Sequence, residues 1–178
     1  MRKRLKTWEW AGFFVTGVLG TLLHFVYDWT GERAAAAAFS AVNESTWEHM
    51  KLLLVPYFLF TMVQFAAFRE PLRNFFAAKA AALCVGLTLI PVLFYTLTGC
   101  LGTLPDWANI SIFFVAAAAM CLTSHHLLLS GALRSGAWQL LGFLLLWAGL
   151  FAFVLFTFRT PHLPLFRDPL TGGFGRSA

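Results

Sequence analysis

Long apolar runs, broken by short polar clusters, set the rhythm of this chain. Crossing hydrocarbon takes about 20 largely apolar residues in a helix. Five runs reach that length, at about 8–29, 46–68, 74–98, 107–129 and 137–158. Barrel strands would alternate polar and apolar positions over roughly 10 residues, and these runs do not. The predicted fold class is therefore all-α: a polytopic integral membrane protein with five transmembrane helices. A sixth apolar stretch, "AAAAAFSAV" at 34–42, is too short to span. It predicts a short interfacial or re-entrant helix near 33–42, with Thr30 as its cap. Pro56 and Pro91 fall inside spans and predict kinks, since each removes a backbone donor. Residues 1–160 read as one transmembrane domain. The remainder, 161–178, is a Pro/Gly-rich tail whose Leu163, Leu165 and Phe166 could fold it back as a lid, carrying His162 and Asp168 inward.

Composition strengthens this reading. The chain of 178 residues is 59% hydrophobic and 12% charged, about half the charged share of a soluble domain, roughly 25%. The net charge of +5 is then a topology signal and not a nucleic-acid one. Arg2, Lys3, Arg4 and Lys6 precede the first span, Arg69 and Arg73 join the second to the third, and Arg134 joins the fourth to the fifth. These segments belong on one side. Segment 99–106 has no base, and in 30–45 Arg33 is outweighed by Glu32 and Glu44. The predicted orientation has the N-terminus cytoplasmic and the C-terminus outside; Arg159, Arg167 and Arg176 in the tail run against that bias. Trp8, Trp10, Trp29, Trp47, Trp107 and Trp138 lie near span ends, as interfacial anchors do. The first apolar run is longer than a cleavable leader needs, so it is expected to remain as a span. Cys84, Cys100 and Cys121 form no CxxC pattern and suggest neither a zinc knuckle nor a redox pair.

Candidate chemistry collects at one level. His24 and Asp28 are four apart on the first span, as are Glu44 and Glu48, and Ser45 and His49, at the start of the second. All of these fall at the same predicted depth, on spans joined by a short connection. "STWE" also reads as a capping box, with Ser45 as cap and Glu48 three residues on. Lys51 can neutralise Glu48 or snorkel outward. Capping explains the two imidazoles poorly. Imidazole nitrogen with carboxylate oxygen suits zinc, iron or manganese, so His24, Glu44 and His49 are the expected metal ligands and Glu48 and Asp28 the expected catalytic carboxylates. "WEHMK" is not the H-E-x-x-H zinc signature. A second group, "TSHH", places His125 and His126 toward the other end of the fourth span, away from this cluster.

The segments "LHFVYDW", "VNESTWEHMKLLLVPY" and "PLFRDPLTGGFG" resemble a family of small bacterial multispanning membrane proteins of uncharacterised function. That resemblance implies an inner-membrane location and no particular activity. The residue types His24, Asp28, Ser45 and His125 are also similar to those of the alkaline ceramidase and adiponectin-receptor type of zinc hydrolase. Five spans in place of seven, and histidines at a different depth, limit that comparison to chemistry. Three functions follow: a metal-dependent membrane hydrolase acting on a lipid or other apolar substrate, a small transporter or proton-handling protein, or a non-catalytic partner subunit. The expected partners are the bilayer and an apolar substrate, with no nucleic acid.

Overall fold

A helix that is apolar on every side has to be surrounded, and α3 (Thr46–Ala67) is such a helix. In the computed structural model, which describes residues 2–68 and 72–176, α3 touches all four other long helices: α1 (Arg2–Trp29), α4 (Phe75–Leu101), α5 (Asp106–Ser130) and α6 (Gly136–Phe158). Its most apolar window is 67% buried, against at most 39% in the others. The other four form a ring around it, with lipid-compatible faces outward: Phe14, Leu122, Leu140 and Phe151 are all more than half exposed. Each of these five helices is long and apolar enough to cross a membrane. The fold is all-α, with five spanning helices and the expected short helix between the first two.

That short helix, α2 (Ala34–Ala37), is one turn long. Ser40 donates its hydroxyl to the Ala36 carbonyl at 2.7 Å, and Lys51 Nζ takes the Ala37 carbonyl at 2.8 Å, so the last carbonyls are satisfied without further turns. Thr30 does not cap it. Its hydroxyl donates back to Val26 and Tyr27 and closes α1 instead, while the N-cap position of α2 is Arg33. α1 begins at Arg2, earlier than the apolar pattern alone suggests, because "RKRLK" adds polar helical turns ahead of the span. Arg69 lies outside the described residues.

Both internal prolines sit within continuous helices. Pro56 has no N–H, so the Leu52 carbonyl lacks its usual helical donor. α1 fills that place with Gly20: a methyl group there would lie 2.7 Å from the Leu52 oxygen. Gly142 of α6 is pressed equally hard on α4, where a methyl would meet the Ala77 backbone at 2.6 Å. Small residues permit such close approach between membrane helices.

The tail packs over the end of the bundle where α1 closes and α3 opens. Phe166, in a single 3₁₀ turn (Pro164–Phe166), is buried against Trp47, ring centroids 4.6 Å apart. Trp47 stacks on Phe153 of α6 at 3.9 Å. It is therefore an internal wedge, whereas Trp10, Trp29, Trp107 and Trp138 are exposed at helix ends. Asn43 Nδ2 donates to the Gly175 carbonyl at 2.9 Å, and Arg176 reaches Tyr27 Oη and the Glu32 carbonyl at 3.1 Å each.

Candidate metal centre and adjoining cavity

Ser45 decides where the site's side chains point. Its hydroxyl accepts from the Glu48 N–H at 3.3 Å and its own N–H is taken by Asn43 Oδ1 at 2.9 Å, which starts α3 there. Starting at Thr46 puts His49 one turn inside the helix, with Glu44 just outside it. His49 Nδ1 lies 3.0 Å from the Ser45 carbonyl. A carbonyl only accepts, so Nδ1 carries a proton, and Nε2 is the nitrogen that the neutral ring would offer to a metal. Nε2 faces Glu44 Oε2 at 3.5 Å, and His24 Nε2 of α1 faces Glu44 Oε1 at 3.8 Å. The two imidazole rings meet edge to face at 5.4 Å.

One donor atom from each of His24, Glu44 and His49 lies within 4.8 Å of the others, each residue half-buried. Tetrahedral zinc ligands, at bonds of about 2.1 Å, stand about 3.4 Å apart. The donor atoms would therefore have to draw together to hold such an ion. The donor set, two imidazoles and one carboxylate, leaves a fourth position for water or substrate. The backbone carbonyl behind His49 fixes its tautomer and ring plane, as outer partners of metal-binding histidines do.

Glu48 goes elsewhere. It is 3% exposed, and Lys51 Nζ sits 2.6 Å from its Oε2. Val42 N–H donates to the same oxygen at 3.1 Å, and the Thr157 hydroxyl lies 3.3 Å from Oε1. Only half of the capping box forms, because the carboxylate reaches back to Val42 and not to the Ser45 N–H. Lys51 does not snorkel: it is fully buried, with Thr157 Oγ1 at 2.8 Å. Glu48, Lys51 and Thr157 thus lock α2, α3 and α6 together, apart from the candidate metal ligands. Asp28 is exposed, one turn beyond His24, and pairs with no base among the described residues.

Neither tail residue expected at the cluster joins it. Asp168 is buried in its own turn, accepting from Leu170 N–H at 2.8 Å and from the Thr171 hydroxyl at 2.9 Å. His162 stacks on Phe174 at 4.7 Å. Instead Pro169 and Leu170 roof a cavity of about 310 Å³ between α3, α4 and α5. Glu44 and His49 line it together with the apolar Ile90, Phe94, Ile112 and Phe113 and the polar Asp106 and Asn109.

The sequence reading passed over a second buried charge pair at the opposite end of the bundle. Lys79 Nζ of α4 contacts both oxygens of Glu9, at 2.8 and 3.0 Å, and Gln64 Nε2 donates to Glu9 Oε1 at 2.9 Å. The Tyr57 and Phe75 rings flank the ammonium at 5.4 and 5.7 Å. A lysine deep in an apolar run needs a partner, and that was the available signal. His125 lies in this half as well, its Nδ1 buried without a hydrogen bond among the described residues.

Comparison with curated proteins and with solved structures finds no match. A family model covers residues 1–176, nearly the whole length, so the chain belongs to DUF6512, a family of unknown function.

Proposed function

We propose that this chain is a metal-dependent enzyme of the bacterial inner membrane, N-terminus inside and C-terminus outside, acting on a lipid or other apolar substrate at its outer face. One observation carries the reading: two of the three candidate ligands, Glu44 and His49, also line a largely apolar cavity closed by the tail. A ligand set that merely held helices together would need no such space beside it. Zinc, iron or manganese bound by His24, Glu44 and His49 would act as a Lewis acid and supply a nucleophilic water at neutral pH. Asp28, unpaired and on the His24 face, is the carboxylate best placed to serve as base from the rim, and Glu48 serves to hold α3 in register.

Transport is less well supported. A proton or ion path would have to run from His49 toward His125. Most of the buried residues between them, including Leu53, Leu54, Ile112, Ala116, Ala117 and Met120, are apolar, with Thr16, Tyr57, Thr61 and Ser124 as scattered polar exceptions. Elemental analysis of detergent-purified protein tests the proposal, with wild type beside the Glu44→Ala/His49→Ala double variant. Near-stoichiometric zinc, iron or manganese is expected in the wild type and is expected to be lost in a folded variant. Metal-free wild type after reconstitution with each ion would refute it.

A further inference from the structure

The cavity beside the candidate metal centre is polar in an uneven way. Among the described residues no lysine or arginine lines it. Its lining includes Asp106 and Asn109, three apart on α5 and so on one face. The Asp106 carboxylate accepts no hydrogen bond among the described residues. Asn109 Oδ1 is sealed from solvent and likewise has no partner there. A buried acceptor left unpaired is costly. Asp106 is exposed and, with Glu44, gives the cavity two carboxylates, one of them at its rim. A second hollow adjoins the cavity and shares Thr46, Phe94 and Pro169 with it; its lining brings in Arg167 and Tyr95. Arg167 uses only Nε, 3.4 Å from the Gly172 carbonyl, within its own turn.

Resting on the hydrolase reading above, we infer that the substrate is a phospholipid whose head group ends in a primary ammonium. The ammonium pairs with the exposed Asp106 carboxylate, beside the Asn109 side chain. The phosphate meets Arg167 in the adjoining hollow, under the Pro169 roof. An acyl chain lies along Ile90, Phe94, Ile112 and Phe113. The volume of about 310 Å³ is at the small end for a ligand site, about 300–1,000 Å³, which fits a head group and the first part of a chain and leaves the rest in the bilayer.

The test is photo-crosslinking of the full chain in nanodiscs doped with diazirine-bearing phosphatidylethanolamine, phosphatidylcholine or phosphatidylglycerol, with labelled peptides mapped by mass spectrometry. Phosphatidylcholine keeps the positive charge but has no N–H donor, and phosphatidylglycerol has hydroxyl donors without the charge. Labelling of 90–113 by the ethanolamine lipid is expected to exceed both others at least fivefold. Asp106→Asn and Asn109→Leu should each remove that preference, and Arg167→Gln should lower labelling by all three lipids. Equal labelling by the three lipids, or a preference unchanged in Asp106→Asn, overturns the inference. Metal content is measured on the same samples. Metal without lipid preference sinks only this inference. Lipid preference without metal sinks the metal-enzyme reading and leaves a lipid-binding site.

Discussion

Replacing Lys51 by Met, Glu48 by Gln, and both together separates a structural Glu48 from a chemical one. Both partners are buried, 0% and 3% exposed, and they touch at 2.6 Å. Removing one partner of such a pair strands a charge, which costs about 3–5 kcal/mol. The surroundings soften that figure. Without Lys51, Glu48 keeps the Val42 N–H at 3.1 Å and the Thr157 hydroxyl at 3.3 Å. Without the Glu48 charge, the ammonium keeps the Ala37 carbonyl and Thr157 Oγ1, both at 2.8 Å. Each single variant is therefore expected near the lower bound, about 3 kcal/mol, a loss of roughly a hundredfold in the folding equilibrium at about 1.4 kcal/mol per decade. The double variant strands no charge. It leaves the Ala37 carbonyl without its donor, worth about 1–3 kcal/mol. The two changes should thus couple by at least about 2 kcal/mol, well outside the roughly 0.5 kcal/mol expected of independent sites. The assay is reversible unfolding by denaturing-detergent titration, read by near-ultraviolet circular dichroism. Single costs that sum to the double within about 0.5 kcal/mol would refute the buried pair and return Glu48 to the list of reactive carboxylates.

Two further outcomes follow from the packing. Gly142→Ala drives a methyl into the Ala77 backbone at 2.6 Å, whereas at Gly149 the nearest atom is Leu54 Cδ1 at 3.5 Å; the first substitution should cost about 1–3 kcal/mol and the second should be close to neutral by the same titration. Phe166→Ala empties the slot against Trp47 and should cost about 3–5 kcal/mol if the tail and bundle unfold as one; selective proteolysis after residue 158, with the bundle melting unchanged, would show that the tail is a separately opening lid.

How much of this could be read from sequence depends on which kind of force fixes each feature. The spans were legible because bilayer thickness imposes a length on any apolar helix, and that constraint does not depend on tertiary contacts. The cluster of His24, Glu44 and His49 was legible for a related reason. Two consecutive spans joined by a short connection must bring the end of one to the start of the next, so residues at those ends share a depth before any packing is known. What spacing could not supply was direction. Glu48 is one position from His49 in the chain, and that step turns it about 100° around α3, from the cavity to the α6 side. Only the presence of Thr157 there, 109 residues later, decides that it will meet Lys51 in the interior. The Glu9–Lys79 pairing is hidden in the same way: its partners lie 70 residues apart, so Lys79 signals the need for a partner without identifying Glu9. Asp106 and Asn109 were missed for a subtler reason. Their significance lies in the cavity they line with Glu44 and His49, which becomes visible only when its walls are in place. On the proposed reading the candidate ligands are set by topology and the selectivity by packing, and a substitution at Asp106 should change which lipid is held without changing whether metal binds.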